Sequence, residues 1–199
     1  CLLLVSTFCF LSCATYQTGV SKNRDLLLQG RYVEASQNFE KQVQEHEGDR
    51  LAYLLEYAMA LHLAGQYKES NAAFESADKL CDINDYTSVS RETGAMIVHE
   101  GVVQYKAETF EFLLINIYQA LNYLLLGDLE NAQVKARRLN EKINKIELGK
   151  ETKQQQASFA AYLAGLLWET RGDWDNAYIL YNKAYELNST AEPFQKAVM

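Results

Sequence analysis

A short pattern built around glycine recurs four times along this chain and constrains its fold more than any other feature. Each copy is a glycine, any one residue, and then an aromatic residue or leucine. The four copies are Gly30-Arg-Tyr32, Gly65-Gln-Tyr67, Gly127-Asp-Leu129 and Gly172-Asp-Trp174. Glycine adopts left-handed backbone angles without strain, so it suits a tight turn between two helices. We therefore predict a turn at each glycine and a helix that begins two residues later.

The residues after each turn have the spacing of a helix that packs closely against a neighbour. Small residues at these positions let two helix axes approach, and bulky residues one turn further on fill the gap. The matching residues are Ala35 and Phe39; Ser70, Phe74 and Ala77; Ala132, Ala136 and Leu139; and Ala177, Tyr181 and Ala184. We expect the bulky residue that begins each helix, Trp174 included, to be buried as a cover over the turn.

A second apolar helix precedes each of the last three turns, over residues 51–63, 110–126 and 158–171. Two antiparallel helices leave one face unburied, so such hairpins stack into a solenoid. One proline and ten glycines also fit a helical chain better than a β-sandwich or barrel. The predicted fold class is therefore all-α, with stacked antiparallel helix hairpins.

These patterns resemble the tetratricopeptide repeat (TPR) family. Residues 158–188 match that repeat best, residues 51–81 match well, and residues 113–142 match moderately. Residues 19–45 match only in the second helix of a hairpin. The stretch from Tyr105 to Glu111, with the Ala-Leu-Asn-Tyr-Leu-Leu-Leu-Gly run beyond it, is similar to uncharacterised bacterial TPR-containing lipoproteins.

The spacing of the turn glycines predicts two insertions. Neighbouring glycines are 35, 62 and 45 residues apart, whereas a regular TPR array repeats about every 34 residues. We place the longer insertion at residues 83–109, with a turn-rich start over residues 82–90 and an irregular segment or small β-hairpin over residues 96–105. The shorter insertion, residues 147–157, is polar and is interpreted as an exposed loop or a helix extension.

The first twelve residues are apolar and uncharged, and they predict the h-region of a secretory signal whose basic start is missing. The Leu-Ser-Cys end of this run resembles a bacterial lipobox, which implies lipidation of Cys13 and an anchored protein. An ordinary signal peptide or a buried apolar helix is the alternative. On the lipoprotein interpretation, residues 13–21 are the lipidated cysteine and a polar tether, and residues 22–199 form the helical domain. Ala14 after the cysteine favours the outer membrane, facing the periplasm.

Charge and residue types exclude several classes of function. The formal net charge of −7 argues against nucleic-acid binding. The densest basic group, at residues 135–145, is interleaved with acidic residues and is interpreted as a solvated helix face. His46, His62 and His99 lack a second ligand at metal-binding spacing, and no phosphate-binding glycine loop is present. We therefore expect no metal, no cofactor and no catalytic residue.

One pair of carboxylates tests that expectation. Glu108 and Glu111 lie three residues apart near a helix start, so both side chains face one side of the helix. A glycan-acting hydrolase of the cell envelope would need such a pair across a sugar-binding cleft. The alternative is that the two acids cap the helix and interact with its dipole.

The TPR resemblance implies a concave groove lined by the first helix of each hairpin. The residues at the corresponding positions are Leu55, Met59, His62, Ile117, Leu121, Leu124, Tyr162, Leu166 and Glu169. This lining is mostly aliphatic and suits an amphipathic helix or an extended peptide. It lacks the Lys/Arg clamp with which some TPR domains bind a terminal carboxylate. Alternatively, the longer insertion or the N-terminal helix fills the groove as core.

We therefore predict a membrane-anchored envelope lipoprotein that acts as a protein–protein interaction scaffold or assembly factor. Its partner would be another envelope protein or a peptide, bound in the groove. Two alternatives stay open at this point: the glycan-acting enzyme that uses Glu108 and Glu111, and a purely structural repeat module of a longer chain.

Overall fold

The computed structural model describes the chain over residues 11–92, 107–145 and 151–191. In these residues it contains eight α-helices and no strand. The helices are α1 (Leu11–Leu28), α2 (Tyr32–Glu45), α3 (Arg50–Leu63), α4 (Tyr67–Glu92), α5 (Thr109–Leu125), α6 (Leu129–Lys145), α7 (Glu151–Glu169) and α8 (Trp174–Leu187). They pair in chain order into four hairpins, and each hairpin packs against the next. The predicted all-α stack of helix hairpins is confirmed.

All four turn glycines have left-handed backbone angles, with φ from +74° to +77°. In the last turn the Gly172 N–H donates to the Glu169 carbonyl at 2.8 Å, and the Asp173 N–H donates to the Trp168 carbonyl at 3.1 Å. The other three turns have the same two hydrogen bonds, which satisfy carbonyl groups at the end of the first helix. The second helices begin two residues after the glycines, as predicted, at Tyr32, Tyr67, Leu129 and Trp174.

The small residues that were predicted to bring the helices together are buried. Ala35, Ala77 and Ala177 are fully inaccessible to solvent, and the rings of Phe39 and Phe74 fill the space beside them. Ser70, the serine at one of these positions, is buried too, and its hydroxyl donates a hydrogen bond to the Ala58 carbonyl of the preceding helix at 2.8 Å. Close approach of helix axes through small residues therefore holds each hairpin together.

Trp174 is not the buried cover over the turn that the pattern predicts. Its side chain is 64% exposed, and Leu129 at the same position of the third hairpin is 50% exposed. The Cα–Cβ bonds of a helix tilt toward its N-terminus. The side chain of the first helical residue therefore points past the end of the helix, where no earlier turn of that helix packs against it. The buried tryptophan of the last hairpin is Trp168, near the end of α7.

The expected turn-rich start of the longer insertion is wrong, whereas the helix extension, one of the two interpretations of the shorter insertion, agrees with the structure. Residues 82–90 are helical, because α4 continues to Glu92; this stretch holds neither glycine nor proline to interrupt the helix. The predicted β-hairpin over residues 96–105 lies outside the described residues. In the shorter insertion, α7 begins at Glu151, so residues 151–157 extend the helix.

Helix α1 completes the first hairpin, for which the sequence pattern predicted only the second helix. The predicted polar tether, residues 13–21, lies within this helix. Val20 and Leu26 of α1 are buried in one cluster with Ala35 and Phe39 of α2. Burial of this apolar face against α2 stabilises α1, although many of the other residues of α1 are polar.

The two tryptophans give a direct test of the hairpin geometry. We expect Trp174→Ala to lower the free energy of unfolding by less than about 1 kcal/mol, because the ring is largely solvated. We expect Trp168→Ala to lower it by about 3–5 kcal/mol, because that ring lies in the core. Urea denaturation followed by circular dichroism measures both values. A larger loss for Trp174→Ala than for Trp168→Ala would contradict this geometry.

Candidate partner-binding groove

A groove of about 290 Å³ opens between α3 and α5, the first helices of the second and third hairpins. Leu55 and Met59 of α3 form one wall, and Leu114 and Tyr118 of α5 form the other. Phe74 of α4 also lines the groove. The two charged residues that border it, Glu56 and Glu111, are acidic, and no lining residue is basic. The groove therefore offers an apolar surface, and at its edge the Glu56 carboxylate is paired with Arg24 of α1, 3.4 Å away.

Two of the nine predicted groove residues, Leu55 and Met59, line this space. Both side chains are half-buried, so each keeps a surface that another molecule could contact. They lie four residues apart on α3 and therefore on one face of the helix. They lie on a groove wall because the first helix of the hairpin forms that wall, and their contact with a partner stays a prediction.

His62, the third predicted residue on α3, takes part in a polar network next to the groove, about one helical turn beyond Met59 and Tyr118. Its Nδ1 lies 2.6 Å from Oδ1 of Asn122 on α5. The Asn122 amide donates to the Ser70 hydroxyl at 2.9 Å and to the Asn71 side chain at 3.0 Å. The His62 ring also contacts the ring of Tyr118 edge-on, at 5.0 Å between centroids. This network joins α3, α4 and α5 and fixes His62 in the structure.

The remaining six predicted residues lie on α5 and α7, where the first helices pack more closely. Ile117 is 2% exposed and belongs to the core cluster, so it does not line an open surface. The other four apolar residues are half-buried against the same cluster: Leu121, Leu124, Tyr162 and Leu166. Glu169 accepts a hydrogen bond from the Tyr181 hydroxyl. Burial, together with this hydrogen bond, raises the pKa of Tyr181.

Two ion pairs join α4 to α6 beside the groove. Lys135 donates to Glu75 at 2.8 Å, and Lys142 donates to Asp78 at 2.5 Å. The hydrogen bond from Lys135 lowers the pKa of the Glu75 carboxyl, against the opposite effect of burial. Lys142 also lies over the Phe112 ring, 3.7 Å from its centroid.

These pairs correct the interpretation of residues 135–145 as a solvated face. Lys135 and Lys142 are seven residues apart on α6 and share a face, and the side chains of both are largely buried. Arg137 and Arg138 remain exposed, as a solvated face requires. The signal that sequence reasoning missed is a matching pair of acids, Glu75 and Asp78, three residues apart on a helix of the preceding hairpin.

Glu108 and Glu111 form a capping box at the start of α5. The Glu108 backbone N–H donates to Oε2 of Glu111 at 2.9 Å, and the Glu108 side chain faces the backbone of Glu111 in return. A capping box satisfies N–H groups that have no partner within the helix. The helix-capping interpretation of this pair therefore accounts for both carboxylates.

Two further features were sought across the described parts of the chain. No group of three His, Cys, Asp or Glu side chains in these parts is arranged to hold a metal ion. None of the helices there combines the length and the apolar character needed to cross a membrane.

No family profile and no curated protein matches the sequence. Solved structures do match the fold. One is BtubC from P. vanneervenii, with a TM-score of 0.60 and 13% identity over 90% of this chain. Another is a tetratricopeptide repeat protein from Parabacteroides merdae, with a TM-score of 0.57 and 18% identity over 92% of this chain. This chain spans 64% of the first and 57% of the second. The fold is that of a TPR-like helical repeat protein.

The network next to the groove gives a prediction about stability. Asn122 is fully buried and bonded to three side chains, so Asn122→Ala leaves buried polar atoms without partners. We expect the free energy of unfolding to fall by about 1–3 kcal/mol. The matched control is Asn131→Ala on α6, which loses an exposed hydrogen bond to Asp128. Equal losses in the two variants, measured by urea denaturation, would contradict a structural role for the network.

Proposed function

We propose that this protein is a protein–protein interaction scaffold or assembly factor that binds a partner peptide in the groove between α3 and α5. The groove itself is the observation that carries the proposal, because among the described residues it is open, it is apolar, and it is built from two helices held in place by the hairpin stack. Its volume of about 290 Å³ is at the low end for small-molecule pockets. It therefore suits the apolar side chains of a peptide better than a complete small molecule.

The geometry favours binding over catalysis. Glu108 and Glu111, the pair considered for glycan hydrolysis, are engaged with each other's backbone at the start of α5. A hydrolase needs one carboxylic acid and one carboxylate free to meet opposite sides of the scissile bond. A capping box holds both groups against the helix end and leaves them poorly placed for that role.

The second part of the proposal concerns location. We propose that Cys13 is lipidated and anchors the protein in a bacterial cell envelope, at the outer membrane and facing the periplasm. The apolar, uncharged run before this cysteine and its Leu-Ser-Cys end support the proposal. A lipid anchor would present the groove to another envelope protein close to the membrane.

Loss of the anchoring cysteine tests this location. In a bacterial host that lipidates proteins, we expect Cys13→Ala to move the protein from the membrane fraction to the soluble fraction, because the acyl chains are lost. Cell fractionation with immunoblotting measures the distribution. Cys81→Ala is the matched control, since it removes a cysteine from the helical domain. If Cys13→Ala stays in the membrane pellet after a carbonate wash, the proposed anchor is wrong.

A charge placed in the groove tests the binding role. We expect Met59→Glu to reduce the amount of partner captured by in-cell crosslinking at least tenfold, because a carboxylate in an apolar groove is costly to desolvate. Leu28→Glu, on a side chain that is 86% exposed on α1, is the matched control and should capture the partner as the wild type does.

Folding must be separated from binding in this test. Circular dichroism shows whether Met59→Glu keeps its helices, and Leu55→Gln gives a milder change in the same wall. The proposal fails if wild type captures no reproducible partner, or if folded variants of both residues capture it at the wild-type level.

A further inference from the structure

A row of aromatic side chains lies exposed on α8, the last helix of the stack. Trp174 is 64% exposed, Tyr178 is 54% exposed and Tyr185 is 38% exposed. These residues recur at helical spacing and share one side of α8, next to the face that packs on α7. Large aromatic groups in contact with water on one helix face are typical of interaction surfaces.

The equivalent side of each earlier hairpin contacts the hairpin that follows it. Equivalent positions are counted from the turn glycine of each hairpin, and the sixth, tenth and thirteenth residues after it are compared. In α4 these residues form hydrogen bonds or ion pairs with α5 and α6, and they are Asn71, Glu75 and Asp78. In α2, Val43 at the last of these positions packs against the core of the second hairpin. In α6, Gln133 at the first position accepts a hydrogen bond from Arg171 in the turn after α7, whereas Arg137 at the second position is exposed. This side, called the stacking interface below, therefore takes part in the contact between successive hairpins, most fully in α4.

On α8 the same positions are occupied by Tyr178, Asn182 and Tyr185. The stacking interface thus continues on the last hairpin, with aromatic residues at two of its three positions. A helix that lay there as α5 lies on α4 would cover both tyrosine rings.

The opposite end of the stack has a different character. In the first helix of a hairpin, two positions before the turn glycine face the preceding hairpin. In α5 they are Gln119 and Asn122, eight and five residues before Gly127. In α1 those positions are Lys22 and Asp25, both exposed and charged. Head-to-tail stacking of a second copy would press these charges against the aromatic row of α8, and burying them unpaired is costly.

Charge on α8 also limits its partner. Asp175 and Glu186 are exposed beside the aromatic row, one near each end of the helix. Two copies paired through α8 would bring these acidic residues together, and each chain carries a formal net charge of −7. A helix with lysine or arginine beside its apolar stripe would meet opposite charges instead.

We propose that the aromatic face of α8 is a second docking surface, which binds an amphipathic helix of a partner protein with a small apolar stripe flanked by Lys or Arg. Small residues in the stripe let the incoming helix approach the large tyrosine rings closely, as small residues do elsewhere in this stack. This surface lies at the end of the stack, away from the groove between α3 and α5.

A pair of synthetic helical peptides tests the proposal. The first carries alanine and leucine in a stripe at i, i+4 and i+7 with lysine on both flanks, and the second is the same peptide with glutamate on the flanks. The reporter is acrylamide quenching of tryptophan fluorescence, because Trp174 is exposed whereas the other tryptophan, Trp168, is buried. We expect the lysine peptide to protect Trp174 and to bind at least tenfold more tightly than the glutamate peptide.

Variants locate the binding to this face. The double variant Tyr178→Ala with Tyr185→Ala should weaken binding of the lysine peptide at least tenfold, and since both residues are exposed it should stay folded. Leu129→Ala, an exposed apolar change in the third hairpin, is the matched control and should leave binding unchanged. Met59→Glu should also leave it unchanged, which separates this surface from the groove.

Three results would overturn the proposal. The lysine and glutamate peptides could bind equally or not at all, the double variant could bind as the wild type does, or sedimentation could show a wild-type dimer that the double variant converts to monomer. The last result would make a second copy the occupant of this face.

Discussion

The left-handed turn at glycine is the constraint on which the rest of this structure depends. A Cβ added at Gly30, Gly65, Gly127 or Gly172 would meet no atom within 4 Å. Glycine is therefore required there for its backbone angle rather than for space. Because every turn has the same angle, every second helix begins at the same point, and the same positions of each hairpin face the next. Gly165 differs, since a Cβ there would lie 2.5 Å from the Tyr181 ring.

The interfaces between hairpins are less uniform than the turns. The third and fourth hairpins meet through alanines and leucines, including Ala160, Ala164 and Leu167 of α7. The second and third hairpins meet through apolar contacts, in which Ile115 joins the core of the second hairpin, and also through polar groups, with Asp78 and Lys142 forming an ion pair that is mostly buried. Such a pair adds little net stability relative to apolar packing, but removal of one partner is costly because the other charge stays buried. We infer that the polar interface fixes which hairpins stack and in what register.

Features set by local chemistry were predictable from the sequence, and features set by distant contacts were not. The turn glycines, the helix starts and the buried small residues follow from backbone angles and helical spacing, and each is confirmed. The exposure of Trp174 was predicted wrongly, because the pattern gives the position of a residue but not the direction in which the first side chain of a helix points. The burial of Lys135 depends on Glu75, sixty residues earlier in the chain, and no local pattern shows that contact.

In the candidate groove, too, the features set by one helix were predictable and those set by contacts between helices were not. Leu55 and Met59 were predictable because the wall of the groove is a single helix face, whereas Ile117 was assigned to the groove although it packs in the core. The distance between the two walls is not a property of either helix. α3 and α5 both pack on α4 far more extensively than on each other, and Asn122 of α5 hydrogen-bonds side chains of α3 and α4.

The width of the groove therefore depends on how α3 and α5 pack on α4, both through apolar side chains such as Phe74 and Tyr118 and through the polar groups next to them. A partner that binds between α3 and α5 meets walls whose separation is held by this packing rather than by its own contacts. Such a preformed groove loses little conformational entropy when a peptide binds, because its walls are ordered beforehand. The same polar groups that add little to the stability of the stack thus give its binding surface a defined shape.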